Sequence, residues 1–310
     1  TYVGPFYTGE HAAHHPKIFF IGGKAVIFSD IAIDSDGQYV IGRIENDRFI
    51  KEGAGRFHLD EENANPFGGV VTTDTGRNVL FFWMRDSFWH ADHIARDAMR
   101  EGWLSAYSLP RDITLDADGR TLLFSPAPEL AALRREELHH TERMALSPRP
   151  APLSFKSEHQ GCIELQTTLD LANASSAAWV LEAGADDRIT ITCDSAGDLS
   201  LDLSAAKRAS RNSRGQGVAS GVIPLREGRY ADLRLFWDHS LLEVYANGRC
   251  LTAWWRPDDP AAVAASLRAV SGAPAALDTR VWSLGTIWKD FAQSRPQPQP
   301  VAQVSHKRGK

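Results

Sequence analysis

From Lys17 to Phe124 the chain reads as short apolar or alternating runs broken by clusters of turn residues, and that rhythm limits the fold more than any other feature. A run of four to eight residues with period two suits one buried face of a pleated strand, whereas an amphipathic helix needs a longer stretch at period 3.6. Strands are expected over 18–21, 25–28, 38–43, 69–73, 78–84, 112–115 and 121–124. The separators include Gly22-Gly23, Asp34-Ser35-Asp36-Gly37, Asp74-Thr75-Gly76 and Asp116-Ala117-Asp118-Gly119, rich in residues that tolerate positive φ or make Asx turns. Two of them read Asp-x-Asp-Gly. A calcium-binding EF-hand loop carries its glycine at the sixth position and these carry it at the fourth, so both are read as hairpin turns.

The second half has longer strands, over 162–169, 178–182, 189–193, 199–203, 230–237, 241–246 and 250–255, which suggest a β-sandwich. Asn247-Gly248 between strand-like runs marks a type I′ hairpin. Between the halves, Glu129 to Leu138 is built almost entirely from strong helix formers, so one short helix is expected there. Pro148, Pro150 and Pro152 follow as a stiff connector. Past Asp290 the Pro- and Gln-rich run and a tail bearing Lys307, Arg308 and Lys310 read as a disordered extension. The expected division is 1–125, 126–152 as a helical and Pro-rich linker, 153–290 as the sandwich, and 291–310 as tail.

With 310 residues, 43% hydrophobic and 24% charged, the composition is that of a globular chain with room for two domains. A net charge of -5 without a sustained basic stripe argues against a nucleic-acid partner. No apolar run approaches bilayer length, and Thr1 to Glu10 shows no signal-peptide pattern. Because the chain opens on Thr1, an upstream segment is conceivable, and location in the cytoplasm or outside the cell stays open. Cys162, Cys193 and Cys250 are odd in number and far apart, which suggests buried thiols and neither a disulfide framework nor a C-x-x-C site.

Three stretches together resemble glycoside hydrolase family 32, the sucrose- and fructan-cleaving family. Leu233 to Gly248, with Asp238-His239-Ser240-Leu241-Leu242-Glu243-Val244-Tyr245-Ala246-Asn247 inside it, is similar to the Asp-x-Ser-x-x-Glu-Val-Phe-x-Asn stretch of that family's C-terminal sandwich. Gly102 to Arg111, with its Leu109-Pro110-Arg111, followed by Pro126 to Leu130, resembles the end of the family's propeller. His15 to Lys24 is similar to the blade that opens with Glu-Cys-Pro in active members. The resemblance spans residues 14 to 290. It implies an all-β chain in which the C-terminal blades of a five-bladed β-propeller precede a β-sandwich. It also implies retaining hydrolysis or transfer of β-fructosyl units by a carboxylate nucleophile and a carboxylic acid about 5 to 5.5 Å apart, with no cofactor or metal.

The family's Asn-Asp-Pro-Asn and Arg-Asp-Pro motifs, which carry the nucleophile and a second stabilising carboxylate, do not occur in this sequence. At 40 to 50 residues per blade, the stretch before Pro126 supplies two or three blades of five, so an upstream segment or a partner chain is expected to complete the ring. Alignment on Pro16 puts His14 at the acid position; Glu10, four residues upstream, is a substitute acid if the loop is displaced. His14 is read either as an altered proton donor or as a lost function. Asp60 and Asn65 fall on the altered substrate wall. Trp83 matches a pocket tryptophan, with a core aromatic as the competing reading. His90, Asp92 and His93 lack a nearby fourth ligand and read as a polar loop; Lys207, Arg208, Arg211 and Arg214 read as a solvated turn. Three functions follow: a fructoside-cleaving enzyme, a silent carbohydrate-binding relative, or an assembly module.

Overall fold

The computed structural model describes residues 4–11, 15–29, 33, 37–59, 68–84, 106–153, 161–209 and 217–286. Two small antiparallel sheets come first. Strands β1 (Lys17–Ile21), β2 (Lys24–Phe28), β3 (Tyr39–Glu45) and β4 (Arg48–Gly55) form a meander in chain order. Gly22-Gly23 and Asn46-Asp47 each close a two-residue turn with both φ positive, the type I′ geometry whose twist matches the strands it joins. The second sheet holds β5 (Gly68–Thr72), β6 (Asn78–Met84), β8 (Arg111–Leu115) and β9 (Leu122–Pro126) in that order, with β7 (Ala106–Tyr107) also beside β6.

These sheets pack face to face as neighbouring propeller blades. Phe57, just beyond β4, sits at the centre, with ring centroids 5.3 Å from Phe28, 5.3 Å from Phe82 and 5.7 Å from Phe124. Alternation sends the other residues of each strand outward. Ile18 and Phe20 share the outer face of β1, Phe20 being 60% exposed, and Val71 on the outer face of the second sheet is 56% exposed. Both outer faces are of the kind that further blades would cover. Residues 4–11 lie over part of the first: Phe49 donates its N–H to the Phe6 carbonyl (3.0 Å), and Tyr7 meets the Phe49 ring edge-on.

Two six-stranded antiparallel sheets make the sandwich. One runs β10 (Arg134–Ala145), β21 (Ala275–Leu284), β12 (Cys162–Asp170), β17 (Tyr230–Asp238), β18 (Leu241–Ala246), β19 (Arg249–Trp254). The other runs β11 (Ala151–Leu153), β20 (Val263–Ser271), β13 (Ser176–Ala183), β14 (Arg188–Asp194), β15 (Asp198–Asp202), β16 (Val218–Val222). Their inner faces interdigitate around Trp179, Trp237, Trp255, Leu181 and Leu235, all buried. Trp255 Nε1 donates to the buried Asp187 carboxylate at 2.9 Å, which satisfies both groups away from water.

The helix expected over 129–138 is absent. Pro128–Leu133 forms a six-residue 3-10 turn, and Arg134 onward is the twelve-residue strand β10. Local propensity yields here to the ladder with β21 and to Arg134, whose guanidinium lies 3.7 Å from the Trp282 ring centroid and pairs with Glu164 through two hydrogen bonds of 2.8 and 2.7 Å. The stretch read as a linker thus contributes two sheet strands, β10 and β11. The Asn247-Gly248 hairpin forms as expected, with φ of 44° and 80°. In the turn after β8, Asp118 accepts from the N–H of Arg120 and Thr121 and from the Thr121 hydroxyl, so its carboxylate is used in closing the hairpin.

Candidate functional site at the seam between blades and sandwich

The sandwich edge strand β19 and its hairpin meet the blades through backbone hydrogen bonds. Leu59 N–H donates to the Cys250 carbonyl and Phe124 N–H to the Gly248 carbonyl, each at 2.9 Å. Leu241 and Trp254 enter the blade core beside these contacts, so apolar packing continues across the seam. Gly248 is required twice over: its φ is +80°, and a Cβ there would stand 2.9 Å from Leu123 Cδ2.

Behind this contact lies a buried polar cluster. Arg111 on β8 is 0% exposed and Glu243 on β18 is 1% exposed. Arg111 Nη2 and Nε donate to Glu243 Oε2 at 2.7 and 3.1 Å, Tyr245 Oη donates to the same oxygen at 2.7 Å, and Leu109 N–H donates to Oε1 at 2.6 Å. Arg111 Nη1 donates to His58 Nε2 at 2.6 Å, which assigns the proton of the neutral ring to Nδ1. Burial, then the Arg111 charge, holds the His58 pKa well below its ordinary value, so the ring is neutral. Burial pushes the Cys250 thiol up to about 12 and the Tyr245 phenol well above its ordinary value. The network thus pairs the Arg111 guanidinium with the Glu243 side chain. Glu243 has no opening to substrate; its chemistry is to clamp the last blade to the sandwich.

This clamp joins two of the stretches that carry the family resemblance, Leu109-Pro110-Arg111 and Leu242-Glu243-Val244-Tyr245. Reading the sequence located both stretches and did not pair them. A glutamate within the otherwise apolar run Leu-Leu-Glu-Val-Tyr-Ala was the available signal, because a buried charge requires a partner.

A cavity of about 310 Å³ opens along the seam, lined by Tyr39, Arg56, His58, Thr121 and Arg249 among others. Its lining contains no carboxylate, so the acid and nucleophile of a retaining glycosidase are not among the described residues that face it. Leu59 also lines it, and Asp60 follows directly in sequence. Asp60, Asn65 and His14 lie outside the described residues, as do His90, Asp92, His93, Arg211, Arg214 and the 291–310 tail. Glu10 is exposed on the segment that covers the first blade. Trp83 is half-buried, opposite Tyr107 in the ladder, and on the face of β6 turned away from the core residues Phe82 and Met84. Arg208 pairs with Asp258 at 2.7 Å.

Away from the seam, at the start of β12, Cys162 meets Asp238 and His239. The hydrogen bond that His239 Nδ1 donates to the Asp238 carboxylate, then the contact with the Cys162 sulfur, pushes the His239 imidazole up to about 10. Cys162 is half-buried and the other two cysteines are buried, all three as free thiols.

The sequence profile described as glycosyl hydrolases family 32 C terminal matches residues 129–283. The chain is 26% identical over 171 residues to the beta-fructofuranosidase insoluble isoenzyme 4 of Oryza sativa subsp. japonica, covering 52% of this chain and 28% of that protein. It is 28% identical over 117 residues to a fructan 1-exohydrolase of Bromus pictus, covering 36% of this chain and 19% of that protein. Among solved structures, fructan 1-exohydrolase IIa from Cichorium intybus superposes with a TM-score of 0.67 at 16% identity, over 86% of this chain and 58% of that one. A fructosyltransferase from A. japonicus gives 0.68 at 17% identity, over 89% and 57%. These structures share the fold, and the chain spans less than two thirds of the length of each relative. With the profile covering half of its residues, and with blades docked on a sandwich through the paired motifs described above, the chain belongs to glycosyl hydrolase family 32.

Proposed function

We propose that the whole protein hydrolyses or transfers β-fructosyl units of sucrose or fructans, and that this chain supplies its C-terminal blades, over 1–125, and its sandwich, over 153–290 together with the strands before it. The observation that carries the reading is the family match, with relatives described as fructofuranosidases and fructan exohydrolases. The exposed outer faces of the two blades support a ring completed by further blades, from an upstream segment or a partner chain. Asp60, Asn65 and Trp83 are assigned to the sugar-binding wall and His14 to the acid position, with Glu10 as its substitute; Trp83, turned away from the core, suits an aromatic platform for apolar sugar C–H surface. No cofactor enters, since carboxylates and water suffice for this chemistry.

A second reading, a carbohydrate-binding relative without turnover, is supported by the alignment on Pro16, which assigns His14 to the position of the family's acid glutamate. Incubating the longest natural version with sucrose, inulin and levan, beside its His14→Glu variant, separates the two. Reducing sugar released by the natural protein supports the enzyme. Release by the variant alone supports the silent relative, and silence in both, without sugar affinity, overturns both readings.

A further inference from the structure

The Cys162–Asp238–His239 corner has no part in the seam or in fructoside chemistry, yet it is built tightly. Cys162, the first residue of β12, is the ladder partner of Asp238, the last residue of β17. The turn His239-Ser240 then leads into β18. Its backbone is pinned on both sides: His239 N–H donates to the Gly161 carbonyl at 2.7 Å, and Ser240 N–H to the Asp238 carbonyl. His239 takes a φ of 55°, and this placement brings its imidazole beside the thiol.

Three donor atoms of different chemistry thus converge. Cys162 Sγ lies 3.3 Å from His239 Nδ1 and 3.5 Å from Asp238 Oδ1, and Nδ1 lies 2.7 Å from Oδ1. A tetrahedral zinc ion, with bonds of about 2.3 Å to sulfur and 2.0 to 2.2 Å to nitrogen and oxygen, sets its ligand atoms about 3.3 to 3.6 Å apart. Two edges of the triangle already have that length. The third opens by roughly 0.6 to 0.7 Å once a metal replaces the proton shared between Nδ1 and Asp238. The side chains of His239 and Asp238 are 71% and 57% exposed, which leaves room for that adjustment and for an ion to enter. A catalytic relay is a poorer fit. Such a relay uses the two ring nitrogens for its two neighbours, whereas the carboxylate and the thiol both approach Nδ1, with sulfur farther from Nε2 at 3.8 Å.

We propose that Cys162, Asp238 and His239 form a mononuclear zinc site that clips the start of β12 to the β17–β18 turn, with a fourth position open to water or to a further ligand. Thiolate, imidazole and carboxylate together suit Zn²⁺ and do not suit Mg²⁺ or Ca²⁺, which take oxygen ligands. Binding releases the Cys162 thiol proton and the His239 Nδ1 proton to solvent, and no electron is transferred. The site is independent of the fructoside reading and stands or falls apart from it.

The test titrates the full chain, stripped of metal with a chelator, with zinc chloride by isothermal calorimetry, and with cobalt chloride by absorption. One equivalent of zinc is expected, with Cys162→Ser and His239→Ala each weakening binding roughly tenfold or more and Cys193→Ser leaving it unchanged. The cobalt form is expected to show a thiolate-to-metal charge-transfer band that Cys162→Ser abolishes. Circular dichroism checks that the variants fold, and the cobalt band reports thiolate ligation in the unmodified chain without any variant. Absence of stoichiometric zinc binding, absence of the band, or binding that survives both substitutions overturns the site.

Discussion

Replacing Glu243 by leucine, close in volume but without charge, isolates the energy of the seam clamp. Four hydrogen bonds end on this carboxylate, from Leu109, from Arg111 twice and from Tyr245, at 2.6 to 3.1 Å. The substitution leaves Arg111 charged and fully buried without a counter-charge, keeping its hydrogen bonds to the His58 nitrogen and the Tyr245 hydroxyl and its place over the Phe82 ring, so the expected loss is about 3–5 kcal/mol, the range for removing one partner of a buried ion pair. Arg111→Met is expected to lose less, because Glu243 keeps the Leu109 N–H and the Tyr245 O–H. The double variant, with neither charge, is expected to be more stable than Glu243→Leu alone, since the uncompensated cation is gone. Urea unfolding followed by tryptophan fluorescence reads all three. A loss below about 1 kcal/mol for Glu243→Leu, or a double variant no better than that single one, would refute the clamp.

Three further outcomes concern the blade core, the seam hairpin and the buried histidine. Phe57→Ala removes the ring around which the blade core packs and is expected to lower stability by about 3–5 kcal/mol in urea; a change under about 1 kcal/mol would show that Phe57 is peripheral. Gly248→Ala forces a side chain into φ +80° and against Leu123, with an expected loss of roughly 1–3 kcal/mol and faster amide exchange at Phe124, whose N–H bonds to the Gly248 carbonyl. His58 has a lowered pKa in the folded chain, so below about pH 6.5 the unfolded ring takes up a proton that the buried ring refuses, and stability falls with falling pH. The slope of stability between pH 7 and pH 5 is therefore expected to be shallower in His58→Gln than in the unmodified chain; equal slopes would remove His58 from the account.

Much of the fold was legible because strand signals here are local. Asn78–Met84 and Leu241–Ala246 have the bounds that their apolar patterns imply, and Asn247-Gly248 closes the turn its chemistry dictates. Three of the unread strands lack a local signal. β4 is charged and glycine-rich, Arg-Phe-Ile-Lys-Glu-Gly-Ala-Gly, and β10 and the alanine-rich β20 are built from good helix formers. Each is a strand because a neighbour in the sheet supplies its hydrogen bonds, which no single-segment pattern records. The seam was half legible: both halves of the Arg111–Glu243 pair lay in recognised stretches, but the contact joins residues 132 positions apart. The Cys162–His239 contact was illegible for the same reason, since spacing along the chain gives no hint of register across β12 and β17.

The central claim, that the whole protein acts on β-fructosyl bonds, is tested most directly by the products formed from sucrose by its longest natural version, resolved by chromatography. The account predicts glucose released together with an equal amount of fructosyl, appearing as free fructose or within longer fructosides. Sucrose left intact, together with inulin and levan left intact, would contradict it.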